Sequence, residues 1–569
     1  MFFTATFLSI ILIFILLHVW FPWRAKQEEK ERIAQEAVRR GCLPAPTMSK
    51  KGFLGFGRLI EGLRATRDGR GPNYVIDSID SEMGKDVDTV LVPIFDYNLI
   101  VSRDPDVIRH VLSNTLTDWD ISEHRSESWN PLVGHGIFTA RGEHWKHSRA
   151  LVRPQFALDQ INDLFMFERH VGQFFEAMDR HRAIGNRWTE AFDLQPYLYN
   201  LTLDIVTEML FGYSVHSQNP AERVELPEIR GFNTPDRANI GKHMDGGKAW
   251  IETRGALWKY RWLLPCGEFY KHCAAIHEYA QWFVQLRLLR GDKYLDGLQQ
   301  HDSDNSNSER YCLLNELAKL TQDPTELRSQ PLNVLTAGRD TTAALIGWMF
   351  YFLARHPRVF RKLRNEVLGV FGPFLPSCPT NIAFRPLRDN MPYMNAVINE
   401  TLRVAPVVPL NERVALRDTV LPTGGGPNRD HPIFVPKGTQ ILIPTYALGM
   451  RPRSWGEDYA KFKPERWLTG AKDYGFAYIP FGGGSRQCLG RKLPSSPLTS
   501  SPEIMVLTNF TEQLTRIKAS YVTVRLLQRF DRLRNAERPY DAPMKFHHTI
   551  ENRSESGVQI RMRAAPWSI

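Results

Sequence analysis

The fold prediction depends on one glycine-rich run, Phe481-Gly482-Gly483-Gly484-Ser485-Arg486-Gln487-Cys488-Leu489-Gly490. Three consecutive glycines let the backbone turn tightly and approach a flat ligand more closely than side chains would allow. The backbone N–H groups of such a turn, together with the N-terminus of a helix that follows it, stabilise a cysteine thiolate. The run therefore predicts that Cys488 is a thiolate ligand.

Arg486 lies two residues before Cys488, and its guanidinium can form a bidentate pair with a carboxylate such as a haem propionate. Five fixed positions of the run, Phe481, Gly484, Arg486, Cys488 and Gly490, match the haem loop of the cytochrome P-450 monooxygenases. Chance predicts such a match roughly once in several thousand sequences. The run resembles that loop, and the resemblance implies that Cys488 is the axial ligand of a haem iron (iron protoporphyrin IX). A buried structural cysteine in a glycine loop is the alternative.

A polar cluster interrupts the long apolar stretch of residues 332–353: Ala337-Gly338-Arg339-Asp340-Thr341-Thr342. Thr341 can hydrogen-bond back to the carbonyl of Ala337 and loosen a helix there, while Gly338 leaves room beside it. In the family that the cysteine run resembles, an acid–alcohol pair relays protons to dioxygen. The resemblance implies that Thr341 orients the proton donor and Asp340 feeds it. Core hydroxyls or a helix N-cap are the alternative.

Glu400 and Arg403 lie at i and i+3 on one helical face, and Arg466, in Pro464-Glu465-Arg466-Trp467, can complete a buried charge triad. The helical pair is a weak signal by itself, because exposed helices often carry such pairs. The resemblance implies that the triad is structural and stabilises the haem-bound core.

Trp145 and Arg149 lie at i and i+4, also on one helical face. The pair resembles the propionate-binding helix of the cytochromes P-450, and Arg413 is a further candidate partner for a propionate. A surface tryptophan with a nearby arginine is the alternative.

Further runs resemble the fungal cytochromes P-450 that hydroxylate alkanes and fatty acids at the chain end, among them Pro409-Leu410-Asn411-Glu412-Arg413, Pro432-Ile433-Phe434-Val435-Pro436-Lys437-Gly438 and Ala519-Ser520-Tyr521-Val522-Thr523-Val524-Arg525-Leu526-Leu527-Gln528. This resemblance implies a long, lipophilic aliphatic substrate whose terminal or near-terminal carbon meets the iron. The candidates for the substrate pocket are Ile137, Leu335, Ala337, Val408 and Leu410. Ordinary core positions are the alternative for each of them.

Residues 2–21 contain no charged side chain apart from a partial charge on His18, and this length spans a bilayer. No Lys or Arg precedes the segment and no small-residue cleavage site follows it. We therefore expect residues 1–21 to form an uncleaved transmembrane anchor rather than a signal peptide. The basic residues that follow place the body in the cytosol, on the membrane of the endoplasmic reticulum.

A linker at residues 22–52, stiffened by Leu43-Pro44-Ala45-Pro46, is expected to join the anchor to one catalytic domain at residues 53–569. Apolar spacing predicts helices at 332–353, 358–370 and 394–404, and short strands at 433–435 and 440–444. The predicted fold is mainly α with small β-sheets: the cytochrome P-450 fold preceded by an N-terminal transmembrane helix.

The formal net charge of +10 suits an acidic partner or anionic lipid. No basic tract with interleaved aromatics, finger spacing or helix-turn-helix pattern is present, so nucleic acid is not an expected partner. The six cysteines have neither zinc nor disulfide spacing, and a cytosolic compartment would keep them reduced.

Residues 491–511 depart from the family pattern, in which a helix begins just after the cysteine and commonly reads Cys-x-Gly-Gln-Gln. This segment contains Pro494, Pro497 and Pro502, which do not suit a helix interior. One interpretation is a retained intron: possible codons contain a splice donor at 491–493 and an acceptor at 511–512, and their in-frame removal leaves Gly490-Gln-Gln513. The alternative is a tolerated loop insertion.

The expected activity is that of a haem-thiolate monooxygenase that takes electrons from NADPH through NADPH-cytochrome P-450 reductase and inserts one oxygen atom of O2 into an aliphatic C–H bond. Two alternatives stay open. A tailoring hydroxylase or oxidase of a fungal secondary-metabolite pathway could act on a polyketide or terpenoid chain. The second alternative is a protein without enzymatic activity: either a haem-binding protein or an inactive product of an unspliced message.

Overall fold

A computed structural model describes residues 20–52, 55–94, 97–114, 117–156, 164–182, 186–257, 261–262, 264–291, 294, 311–374, 382–469, 474–488, 512–540 and 542–568. The predicted anchor lies outside the described residues except for its last two positions, and so do Gly490 and the whole segment 491–511. Over the described ranges, no helix is both long enough and apolar enough to cross a membrane.

The described chain is mainly helical, as predicted. Its helices are α1 Phe21–Arg39, α2 Phe56–Arg67, α3 Gly71–Met83, α4 Pro105–Ser113, α5 Glu123–Val133, α6 Gly142–Val152, α7 Leu164–Asp179, α8 Gln195–Phe211, α9 Ile240–Leu257, α10 Gly267–Arg290, α11 Leu313–Ala318, α12 Pro324–Arg355, α13 Pro357–Phe371, α14 Phe384–Asp389, α15 Pro392–Val404, α16 Thr445–Gly449, α17 Pro452–Trp455 and α18 Glu512–Arg529.

Helix α12 runs through the core and carries the polar cluster. Asp323 caps its first turn by accepting a hydrogen bond from the backbone N–H of Thr325, and Pro324 occupies the first helical position. The helix therefore begins eight residues before the predicted start at 332, where the apolar run begins. Its C-terminal half packs among the buried residues of α8, α15 and α18, which form the largest hydrophobic cluster.

The strands form small sheets, as predicted, and run β1 Thr89–Ile94, β2 Tyr97–Ser102, β3 Trp119–Asp120, β4 Phe192–Asp193, β5 Leu410–Ala415, β6 Thr419–Gly425, β7 His431–Val435, β8 Gln440–Pro444, β9 Phe530–Asn535, β10 Phe546–His548, β11 Asn552–Ser554 and β12 Gln559–Ala564. The largest sheet has the order β1-β2-β8-β5-β3, with β2 and β8 parallel. The predicted strands at 433–435 and 440–444 correspond to β7 and β8.

Helix α18 begins at Glu512, directly after the segment 491–511. Residues 517–528 are all buried, polar ones such as Lys518 and Arg525 included, so this part of the helix has no exposed face. The cysteine run and this helix are therefore adjacent elements of the described chain, separated by residues 489–511.

Candidate functional site

A cavity of about 310 Å³ lies between the cysteine run, α6, α12 and the start of β5. Its wall includes these residues predicted from the sequence: Ile137, Trp145, Arg149, Ala337, Thr341, Val408, Arg413, Phe481, Arg486 and Cys488. Residues far apart in the sequence thus meet around one space. Cys488 forms no disulfide and is exposed at the wall.

The turn before the cysteine requires glycine at Gly484, which has φ +68. A Cβ there would lie 1.8 Å from the carbonyl oxygen of Leu112, at the end of α4. The N–H of Cys488 donates to the carbonyl of Phe481 at 2.9 Å, which closes the loop. Gly484 therefore packs against α4 and is not on the cavity wall, whereas Cys488 is brought to the wall by the closed turn.

Trp145 is buried between two guanidinium groups. The guanidinium carbon of Arg149 lies 5.4 Å from the Trp145 ring centroid, and that of Arg486 lies 4.5 Å from it. Arg149 also donates to the carbonyl oxygen of Gln487 at 3.1 Å. Burial lowers the pKa of Arg149 below its usual range. The predicted i, i+4 pair of α6 thus contacts the cysteine run directly.

A cluster of three arginines, Arg125, Arg413 and Arg486, lines the cavity. Arg486 forms an ion pair with Asp120 at 2.6 Å, and burial nevertheless lowers the pKa of Arg486 to about 9. Burial lowers the pKa of Arg413 to about 10, with Arg125 as a further cause. The Nε atoms of Arg125, Arg413 and Arg486 are buried and have no hydrogen-bond partner among the described residues. The cluster therefore carries more positive charge than its protein neighbours neutralise.

Arg125 was missed by the sequence analysis. It lies on α5 within Glu123-His124-Arg125, a stretch that reads as an exposed helix start, and no local pattern distinguishes it. Its side chain reaches Asn411 Oδ1 at 3.2 Å, close to the start of β5. Only tertiary packing reveals it.

Thr341 lines the cavity, whereas its neighbour Asp340 does not. The Thr341 hydroxyl donates to the carbonyl of Ala337 at 2.5 Å, as predicted, and both residues line the cavity. Gly338 also lines it, and a Cβ there would lie 3.2 Å from Val206 of α8. Asp340 is not on the cavity wall. The assignment of Asp340 as the group that feeds Thr341 stays a prediction.

Asp340 lies in a buried ion cluster next to the cavity. Its carboxylate is 2.9 Å from the Lys248 amine and 2.8 Å from the Arg339 guanidinium, and its side chain is 1% exposed. Lys248 of α9 also donates to Glu551 at 2.8 Å. Burial raises the pKa of Asp340, against the opposing effect of the two cations. The sequence analysis missed Lys248 and Glu551, which lie far from Asp340 in the sequence.

The charge triad has the predicted geometry. Glu400 is 2.8 Å from Arg403 and 2.9 Å from Arg466, and the Glu400 and Arg403 side chains are fully buried. Arg403 also donates to the carbonyls of Gly449 and Lys461, at 2.7 and 3.0 Å. The triad lies away from the cavity wall and ties α15 to the chain segment that precedes the cysteine run.

The remaining predicted pocket residues separate into two groups. Ile137, Ala337 and Val408 line the cavity. Leu335 is fully buried in the second hydrophobic cluster, and Leu410, the first residue of β5, is off the cavity wall. For these two leucines the structure favours core and strand packing over contact with a ligand.

The cavity residues fit a haem. A cysteine sulfur on one wall can bind the iron, and the three arginines with unpaired Nε atoms suit two propionates. The hydroxyl of Thr341 lines the same cavity, on α12.

Residues 88–499 match the family model described as Cytochrome P450. The chain is 36% identical to Cytochrome P450 monooxygenase g430 of a Fusarium species, over 93% of this chain and 86% of that protein. It is 35% identical to Cytochrome P450 52A3-B of Candida maltosa, over 91% of each chain. It is 34% identical to Cytochrome P450 52A12 of Debaryomyces hansenii, over 93% of this chain and 94% of that protein.

Proposed function

The chain belongs to the cytochrome P450 family, and from this premise we propose that its substrate is a long aliphatic molecule hydroxylated at or near the chain end. Family membership makes the chain a haem-thiolate monooxygenase that receives NADPH-derived electrons from a reductase and acts on lipophilic substrates. The observation that carries the substrate proposal is the apolar wall around Thr341, formed by residues such as Ile137, Val408 and Leu345. The resemblance to the fungal chain-end hydroxylases supports it, and the comparisons do not favour the secondary-metabolite alternative.

The cavity residues have separate tasks in this reaction. When bound, the haem supplies the iron that activates dioxygen. Cys488 would hold it through the sulfur, and Arg125, Arg413 and Arg486 would bind its propionates. Thr341 holds a proton at Oγ1 on the cavity wall, where the hydroxyl can donate to one group while it accepts from another.

We also propose that the protein is bound to the endoplasmic reticulum membrane by residues 1–21, with the catalytic domain on the cytosolic side. Helix α2 supports this proposal because Phe56, Ile60 and Leu63 are exposed at i, i+4 and i+7. Residues at this spacing lie on one face of a helix, and an exposed apolar face suits a lipid surface. Trp23 of α1 is exposed as well.

The proposed electron donor is NADPH-cytochrome P-450 reductase. Helix α6 turns Trp145 toward the cavity, while Lys146 and His147 are exposed on its other side, and Arg153 is exposed just after it. With the net charge of +10, this basic surface near the haem site suits an acidic electron-transfer partner.

The substrate proposal is tested with haem-loaded protein, the reductase and NADPH, supplied separately with dodecane, dodecanoic acid and a terpenoid alcohol. We expect chain-end alcohols from the aliphatic substrates, and much less product from a Thr341→Ala variant that retains its haem. A protein with a thiolate-type Soret band that oxidises only the terpenoid would contradict the proposal.

A further inference from the structure

Lys518 is a buried cation on the wall of the haem cavity. It lies on α18, it is 4% exposed, and Thr515, one turn earlier, lines the same cavity. Its amine lies 4.0 Å from the sulfur of Met209 on α8 and 5.7 Å from the ring centroid of Phe167 on α7. Neither neighbour carries a charge, so the amine faces an apolar surface and the cavity.

The acids on the two helices that contact Lys518 are bound to other groups. Glu168 of α7 accepts a hydrogen bond from Arg525 at 2.8 Å. Glu208 of α8 lies 2.7 Å from the His170 ring nitrogen. Neither carboxylate is left to form an ion pair with Lys518.

Charged groups of α12, and of α18 where its side chains are described, are also engaged. Arg339 and Asp340 of α12 bind each other at 2.8 Å within the ion cluster that includes Lys248. Arg516 of α18 donates to Asn399 at 2.6 Å. Among the described residues, Lys518 therefore has no ion-pair partner, and its described polar contact is with the Met209 sulfur.

Burial without a counter-ion disfavours an ammonium relative to the neutral amine. Burial lowers the pKa of Lys518 to about 8. The side chain can therefore gain and lose a proton close to neutral pH, which an exposed lysine does not do.

Lys518 is linked to Gly338 of α12 through residues of α8. Met209, its neighbour, is three residues from Val206 on α8, about one helical turn. Val206 in turn packs against Gly338, where a Cβ would lie 3.2 Å away. One cavity is lined by Lys518, Gly338 and Thr341. Water in that cavity can therefore connect the Lys518 and Thr341 side chains through hydrogen bonds of about 2.8 Å each.

We propose that Lys518 holds the proton that cavity water carries to the hydroxyl of Thr341. The inference rests on the monooxygenase function, because the reduction of dioxygen to water consumes protons. The Lys518 ammonium releases a proton to cavity water. Thr341 Oγ1 accepts a proton from that water, gives up its bond to the Ala337 carbonyl and donates its own proton to the dioxygen that is reduced to water. The neutral amine then takes up a proton from solvent. Lys518 does not contact the reacting atoms itself: it acts through Thr341, and its role is to hold a proton in position for that hydroxyl.

The test compares the wild-type protein with Lys518→Met, which removes the titrating group, and Lys518→Arg, which keeps a permanent charge. Thr523→Val is the matched control, because Thr523 is fully buried on the same helix and is not on the cavity wall. The first readout needs no substrate: the C–O stretching band of the reduced, carbon-monoxide-bound protein between pH 6.5 and 9.5. We expect a transition near pH 8 in the wild type and in Thr523→Val, and none in either Lys518 variant.

The second readout is the fraction of consumed NADPH recovered as product, with the remainder measured as hydrogen peroxide. Lys518→Met should lower this fraction by about tenfold, at the low end of general-acid effects, and Lys518→Arg should lower it as well, because a guanidinium does not release a proton. An unchanged pH transition in Lys518→Met overturns the proposal. If that variant does not bind haem, an unchanged transition in Lys518→Arg overturns it. Because the band is measured without substrate, a wrong substrate assignment leaves this result intact.

Discussion

Arg486 stacks on the indole ring of Trp145, with its guanidinium carbon 4.5 Å from the ring centroid. The contact joins the cysteine run to α6, so that one arginine both positions the loop and faces the cavity. Asp120 neutralises part of its charge at 2.6 Å, and its Nε has no hydrogen-bond partner among the described residues. The geometry leaves Arg486 able to bind a haem carboxylate.

Arg486→Lys should therefore weaken haem binding. Lysine keeps the charge but loses the planar fork and the stacking on Trp145. We expect haem to transfer to excess apomyoglobin about tenfold faster, which corresponds to about 1.4 kcal/mol, within the range of charge-assisted hydrogen bonds. Arg532→Lys, at an exposed position of β9, is the control. Equal transfer rates for the two variants would contradict this role.

Gly484→Ala should prevent the cysteine loop from closing. The added Cβ would lie 1.8 Å from the Leu112 carbonyl, at a φ of +68. We expect a loss of about 3 kcal/mol or more in the free energy of unfolding, together with loss of the thiolate-type Soret band. Gly438→Ala is the matched control, because Gly438 has φ +84 and nothing within 4 Å of the added atom. It should cost about 1 kcal/mol, and similar losses in both variants would rule out the close contact as the cause.

The residues that sequence could predict are those with a local pattern. Cys488 is identified by the fixed positions around it, and Trp145 with Arg149 by helical spacing. Thr341 is identified by its place in an apolar helix, and its bond to Ala337 follows from backbone geometry alone. These signals depend on a few neighbouring residues, so they do not require knowledge of the tertiary fold.

Arg125, Lys248 and Glu551 have no such local signal. No motif or helical spacing in the sequence around them singles them out, and each acquires its role when distant parts of the chain pack together. Lys248 meets Glu551 across 303 residues of chain. Lys518 has no such signal either, because Arg516 and Arg525 lie on the same helix and nothing local shows which of these cations is buried without a counter-ion.

Lys248→Met should destabilise the protein because it leaves Asp340 and Glu551 as buried acids without their shared cation. We expect a loss of about 3–5 kcal/mol in urea unfolding at pH 7. Burial raises the pKa of Glu551, but Lys248, a backbone hydrogen bond and Arg553 together outweigh burial, so the net shift of this pKa is downward. A lowered acid pKa stabilises the fold above the unfolded value of about 4.3, so the difference between variant and wild type should shrink as the pH falls below that value.

Lys271→Met is the control for this experiment. Lys271 also pairs with an acid, Glu268, at 2.7 Å, but its side chain is 73% exposed. Its removal should leave the urea midpoint unchanged. A Lys248→Met midpoint equal to that of Lys271→Met would show that the buried cluster adds no stability.

Lys518→Met should make the protein more stable while it impairs proton supply. Burial lowers the pKa of Lys518 from 10.5 to about 8. At every pH below about 8, the buried ammonium therefore lowers the free energy of unfolding. Removing the amine should raise the free energy of unfolding by roughly 3 kcal/mol at pH 7. Because the unfolded chain loses its own proton only near pH 10.4, the gain should shrink between pH 8 and 10. Lys518→Arg stays charged and should show no gain; a gain as large as that of Lys518→Met would exclude desolvation as its cause.

Replacement of residues 491–512 by a single Gln, which reproduces the spliced reading, should strengthen the thiolate site. Helix α18 begins at Glu512 in the chain as given, while Cys488 is the last described residue of the loop. The shortened reading, Gly490-Gln-Gln513, brings the helix N-terminus within a few residues of the sulfur, where its free N–H groups and positive end favour the anion. We expect a larger 450 nm band in the carbon-monoxide difference spectrum of the shortened protein than in that of the full chain, at equal protein concentration. Sequencing of the spliced transcript is the independent measurement. A transcript that retains these codons, with equal bands from both proteins, would identify the segment as a loop insertion that the fold accommodates.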